Sequence, residues 1–270
     1  MNMLSSEWLK IRSVRSTGLL LVLSLSAILL GVAIAWSAAG MYDDATPAKR
    51  ATASIAELEE VVIIVPQLCM GILGVLAITS EYATGMIRTS FTVAPKRWPV
   101  LAAKAVVVGS LGLITGSVTI FSTFFLARQM IGDRFSGAYL TPFLDRLPTL
   151  AATGLTVCVF ALLGLGLGAL TRSTAGAVAV LVSFAYVIPM IVGKLPSPYK
   201  DWLGSMMIGA LPREISGVPF KSSVYGASLS PAAAAAVLAA YALVPVLVGT
   251  WLLIPRPGRR PRQERASASS

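Results

Sequence analysis

The chain has 270 residues, 56% of them hydrophobic and 13% charged, with mean hydropathy +0.78 and net charge +10. Soluble domains average about 25% charged residues, so this composition excludes an ordinary soluble domain. With no histidine, the chain has no imidazole base, no histidine metal ligand and no Ser-His-Asp or Cys-His centre.

Residues 2–16 are too short and too polar to span a bilayer. On a helix, Met3, Leu4, Trp8, Ile11 and Val14 gather on one side, with Lys10 and Arg12 beyond its edges, while Glu7 and Arg15 intrude on it. The pattern predicts an interfacial helix over 1–16 whose candidate contact residues are Trp8, Lys10, Ile11 and Arg12.

Six windows follow, 17–38, 61–79, 105–127, 149–170, 175–193 and 232–254, with no Asp, Glu, Lys or Arg in any of them. Each reaches the roughly 17–25 residues that an α-helix needs to cross the hydrocarbon layer. The fold class is therefore an all-α membrane protein with six transmembrane helices, and 17–254 is its transmembrane domain. A cleavable signal core is usually about 7–15 residues, so the longer run at 17–38 reads as a retained span.

Between the first two windows, Asp43, Asp44, Glu57, Glu59 and Glu60 outnumber Lys49 and Arg50, and 51–60 is helix-favouring sequence expected to extend the second span outward. A second loop at 128–148 is aromatic, and Thr171–Thr174 leaves room only for a tight hairpin. The segment 194–230 is long and broken by four prolines, yet carries Trp202, Leu203, Met206, Met207, Ile208 and Leu211. That apolar run, about ten residues, is too short to cross and suits short extracellular or re-entrant helices before the last span. Residues 255–270 read as a basic, disordered cytoplasmic tail.

With six spans both termini share a side. That side holds Lys10, Arg12, Arg15, Arg88, Lys96, Arg97, Lys104, Arg172 and the arginines of the tail, against Glu7, Glu81 and Glu264. Basic residues near span ends stay in the cytoplasm, so both termini are predicted to be cytoplasmic. Charge placed this way implies membrane lipid, not nucleic acid, as the partner of the basic residues.

The windows contain one amide, Gln67, and no ionisable group that would bind a coupling ion. A phosphate-binding loop is missing too: around Gly193–Lys194, Ile188 occupies the first glycine position and Leu195 the hydroxyl position. The reading is no enzyme: no catalytic, metal or cofactor-binding residue is assigned, and any ATP chemistry belongs to a partner. Gly112 and Gly116, and Gly164 and Gly168, are spaced for close helix approach. Ser110, Thr115, Ser117, Thr119, Ser122 and Thr123 make the third span unusually hydroxylated. Cys69 and Cys158 read as reduced packing residues.

After the second span come Glu81, Tyr82, Gly85, Met86, Ile87, Arg88, Phe91, Pro95, Lys96 and Arg97, in which Tyr82, Met86, Ile87 and Phe91 form an apolar ridge that ends before Pro95. Lys96, Arg97 and Lys104 are expected to hold this stretch at the anionic inner surface. Here the chain resembles the permease subunits of ABC exporters of the ABC type-2 family. The likeness rests on a Glu-Trp-Leu-Lys-Ile-Arg segment before span one, and on Glu81, Gly85, Ile87, Arg88, Pro95, Lys96 and Arg97 after span two. Met86 departs from the threonine common in the family. The resemblance implies a P-loop ATPase subunit that binds ATP-Mg, a second permease subunit in a homo- or heterodimer, a coupling helix at 80–97, and an outer gate with Trp202, Met206 and Met207 as candidates. It implies location in a bacterial cytoplasmic membrane. A non-transporting scaffold or immunity protein and an ion-coupled transporter are the alternatives.

Overall fold

The computed structural model describes residues 3–83, 98–135, 138–217 and 229–253. Every regular element among them is helical: α1 (Met3–Ser13), α2 (Arg15–Asp43), α3 (Pro47–Thr52), α4 (Leu58–Val62), α5 (Ile64–Ala83), α6 (Trp98–Ile131), α7 (Phe143–Thr171), α8 (Thr174–Val182), α9 (Ile188–Val192), α10 (Tyr199–Ser205), α11 (Leu211–Ser216) and α12 (Pro231–Leu253). A π-helical turn, Ser183–Val187, joins α8 to α9. Six stretches are long and apolar enough to cross a membrane: α2, α4–α5, α6, α7, α8–α9 and α12. Each expected window overlaps one of them; 175–193 runs one residue past Val192, and residue 254 of the last window lies outside the described residues. α1 and the start of α2 mark what we call the near end of the bundle; α10 and α11 lie at the far end.

Helix α7 forms the axis and packs against α5, α6, α8, α11 and α12. Its glycines explain how one helix reaches so many neighbours. Successive helix residues turn by about 100°, so Gly164 and Gly166 point to nearly opposite sides. A Cβ on Gly164 would lie 2.0 Å from the Gly71 carbonyl oxygen of α5, and one on Gly166 would lie 2.5 Å from the Pro245 backbone of α12. Gly116 of α6 meets the Gly154 carbonyl of α7, and Gly168 of α7 faces Val75 and Ile78 of α5. Small residues let backbones approach where lipid offers no hydrophobic drive for helix association. The spacing of Gly112, Gly116, Gly164 and Gly168 is thus used for packing within the chain.

Helix α2 packs on α5 and α6, where Gly31 receives the Thr123 methyl group. Of the hydroxylated residues of the third span, Thr115, Thr119 and Thr123 are buried in a stripe along α6, whereas Ser110 is exposed. The tight link between α7 and α8 is formed by Arg172 in the left-handed region (φ 53°) and by Ser173, whose Oγ caps α8 by accepting from Gly176 N at 3.3 Å.

Two local expectations change. The second span does not extend outward as a helix over 51–60; helix α3 ends at Thr52, and α4 starts only at Leu58. The helix restarts there because the Leu58 amide, free of a helical acceptor at that position, donates to Tyr139 Oη at 2.8 Å. The fourth span begins earlier than its uncharged window, so Asp145 and Arg146 lie within its first turns.

Candidate functional site

The near end is built around a buried lysine. Lys104, on the second turn of α6, is 3% exposed, and its Nζ lies 2.6 Å from Glu7 Oε2 and 2.8 Å from Glu81 Oε1. Lys10 Nζ adds bonds of 2.8 Å to Glu7 Oε1 and 3.3 Å to Glu81 Oε1. Two ammonium groups thus balance two carboxylates, one on α1 and one in the last turn of α5. The Glu7 that seemed to spoil the amphipathic face of α1 is the residue that docks it. Lys104, expected to reach lipid headgroups, is turned inward instead, because a buried charge needs partners and finds them in Glu7 and Glu81.

This cluster ties α1 to both roots of the connection between α5 and α6. Glu81 and Tyr82 close the last turns of α5, and the Arg172 guanidinium lies over the Tyr82 ring at 5.9 Å. Gly85, Met86, Ile87, Arg88, Phe91, Pro95, Lys96 and Arg97 lie outside the described residues, as does the basic tail. On α1, Ile11 is buried and Lys10 half-buried, but Trp8 (43% exposed) and Arg12 face outward, so the expected apolar side divides between bundle and surroundings. A cavity of about 360 Å³ opens beside the cluster, floored by Leu20, Leu73 and Leu76.

Burial works against the ionised form of Glu7, but hydrogen bonds and charges from Lys10 and Lys104 outweigh it and hold its pKa below the ordinary 4.5. The Lys10 ammonium also loses solvation, yet the two carboxylates raise its pKa above 10.5. The lowered carboxylate contributes stability that is present above pH 4.5 and lost as pH falls through its folded value. The raised ammonium contributes stability present below pH 10.5 and lost above it. Docking of α1, followed by protease cleavage near Val14, is therefore expected to be constant between these limits and to fail on the acid side below pH 4.5. Cleavage that rises already between pH 7 and 5 would contradict it.

The far end carries a larger network. Arg146 of α7 binds Glu57 through Nη1 at 3.0 Å and through Nη2, and reaches Glu59 Oε1 at 3.2 Å. Arg213 of α11 clasps both oxygens of Glu60, at 2.6 and 2.7 Å, and contacts Glu57 at 3.2 Å. Tyr139 donates to Glu59 Oε2 at 2.8 Å, and its burial, followed by the Glu59 charge, raises its pKa. Five charged groups thus fasten α4, α7 and α11 together. Sequence reasoning counted these acids as loop residues and missed the network. Its one visible signal was that Glu57, Glu59, Glu60 and Arg146 all sit just ahead of uncharged windows.

The proposed gate residues gather at this end with different exposures. Trp202 is 56% exposed on α10, the Met206 carbonyl accepts from Tyr241 Oη at 3.1 Å, and Met207 is buried. The next residue, Ile208, packs with Phe160, Leu163 and Leu181, about midway along α7 and along the α8–α9 span. The segment between α10 and α11 therefore dips well below the helix ends. Beneath it lies a second cavity of about 370 Å³, reaching from Glu60 down to Gln67, Thr156 and Phe160 and closed on one side by the π-helical turn.

No family model matches the chain, and no curated protein matches it.

Proposed function

We propose that this chain is the membrane-spanning subunit of an ATP-driven exporter of the ABC type-2 kind, with both termini in the cytosol of a bacterial cell. The supporting observation is the Glu7–Lys104–Glu81 cluster. An ATPase subunit that seats the 80–97 segment would push on the roots of α5 and α6, and the cluster would pass that push to α1 as one rigid unit. The near end also collects Lys10, Arg12, Arg15, Lys104 and Arg172, the distribution expected of a cytoplasmic face.

In this reading the chain binds no nucleotide. A P-loop ATPase subunit holds ATP-Mg and grips the coupling segment at Glu81, Tyr82, Gly85, Met86, Ile87, Arg88 and Phe91, while Pro95, Lys96 and Arg97 end it and meet lipid. A second permease subunit completes the assembly, and the poorly buried faces of α2, α8 and α12 are the surfaces available to it and to lipid. The dip between α10 and α11, with Met206 and Met207, forms a re-entrant outer gate.

Affinity purification of the chain in mild detergent is expected to bring down an ATPase, and vesicles containing both are expected to export only with ATP. Gly85→Leu is expected to abolish stimulation of the ATPase while leaving insertion and the near-end cluster intact. Uphill transport by the chain alone, or full coupling in Gly85→Leu, would overturn the reading.

A further inference from the structure

The far-end cavity has an unusual balance of hydrogen-bonding groups. Three hydroxyls line it, and each has already committed its hydrogen: Thr153 to the Thr149 carbonyl at 2.7 Å, Thr156 to the Thr153 carbonyl at 2.6 Å, and Tyr186 to the Ile64 carbonyl at 3.4 Å. Gln67 Nε2 donates to Thr156 Oγ1 at 2.8 Å, and no described residue donates to the side-chain Gln67 Oε1. Pro189 and Pro212, also in the lining, have no N–H. The side chains of the cavity therefore present lone pairs, with a single uncommitted hydrogen on Gln67 Nε2.

Charge points the same way. Glu60 stands at the cavity margin, and Arg213 occupies only part of its capacity, since a carboxylate offers about four acceptor sites. In the network to which it belongs, three carboxylates, Glu60 included, face two guanidinium groups. The remaining walls are apolar and aromatic, with Phe160, Phe184 and Ile208, and Phe184 and Tyr186 are delivered by the π-helical turn. Such turns are often found at functional sites.

We propose that this cavity binds amphiphilic amines. The protonated nitrogen is a pure donor with positive charge and meets Glu60 and Gln67 Oε1; the apolar body lies against Ile208 and the rings of Phe160 and Phe184, whose faces suit a nearby cation. Carboxylates, phosphates and other acceptor-only headgroups find only that one Gln67 hydrogen among the side chains and face the Glu60 charge. As a statement of cargo this rests on the exporter reading; as a statement of binding it does not.

Gly209 supplies the means of testing it. A Cβ at Gly209 would meet no atom within 4 Å, and the residue lines the cavity, so the backbone there accepts a side chain, and a phenyl group turned inward would occupy the cavity. The full chain in lipid nanodiscs is titrated with a dansyl-labelled aliphatic amine and with its N-acetylated, uncharged counterpart. The amine is expected to bind at least about tenfold more tightly than the acetylated compound, as befits a charge-assisted hydrogen bond. Gln67→Leu and Glu60→Gln are each expected to weaken amine binding by about tenfold, Gly209→Phe to abolish it and Gly209→Ala to leave it unchanged. Equal binding of the two compounds, no binding of the amine, or unaltered binding in Gly209→Phe would each overturn the proposal. Amine binding by a chain that drives no ATP-dependent export would sink the exporter reading alone; ATP-driven export by a chain that ignores the amine would sink the cargo assignment alone.

Discussion

Replacing Lys104 with methionine is expected to cost about 3–5 kcal/mol and to release α1 from the bundle. The side chain is similar in length, so little packing is lost; what changes is that Glu7 and Glu81, 2% and 7% exposed, lose their shared partner. Lys10 is left to serve both carboxylates from a half-exposed position. Lys10→Met should be far milder, about 1 kcal/mol or less, because a solvent-screened partner contributes little. The two substitutions are compared by thermal unfolding in detergent and by protease cleavage at Val14, the extended residue between α1 and α2.

A third variant separates charge from shape. Lys104→Met combined with Glu7→Gln and Glu81→Gln removes the whole ionic cluster, and buried ion clusters replaced by neutral groups often lose little stability. It is expected to recover most of the stability lost in Lys104→Met. If the exporter reading holds, it should still fail to couple, because the neutral groups no longer hold α1 rigidly to the roots of α5 and α6. Equal stability of Lys104→Met and Lys10→Met would show that the cluster does not dock α1.

The spans were legible in the sequence because a bilayer imposes a simple demand: about 20 residues without charge, six times over. The same reasoning failed at the ends of the spans, where charge is present but buried. Lys104 lies one residue outside its window, Glu59 and Glu60 just ahead of theirs and Arg146 three before its own, so each read as a boundary marker. What decided their fate was the identity of the residue opposite, contributed by an element 97 positions away for Lys104 and Glu7 and 87 away for Arg146 and Glu59. No local pattern carries that information. The cavity was hidden for the same reason. Gln67 stood out as the one amide in the spans, but its partner Thr156 is 89 residues distant, and the prolines of 194–230 signalled an irregular path without saying that it dips to the level of Phe160.

The glycines where α5 and α7 meet give the sharpest test of the packing. Gly164→Ala and Gly74→Ala place a methyl group 2.0 Å from a backbone carbonyl oxygen of the facing helix, Gly71 in one case and Ala161 in the other. Backbone has no rotamer with which to move aside, so α5 and α7 must separate along their contact. Ordinary overpacking costs about 1–3 kcal/mol; these two sites are expected at or above the top of that range. The opposite sign is expected in α2, where a Cβ at Gly18 or Gly40 would meet nothing within 4 Å. There, alanine only removes backbone freedom from the unfolded chain and should stabilise the helix by up to about 1 kcal/mol. Thermal unfolding of the four variants tests both directions at once. A Gly164→Ala protein as stable as the Gly18→Ala protein would mean that α5 and α7 do not touch through their backbones, and the central place given to α7 would fall with that contact.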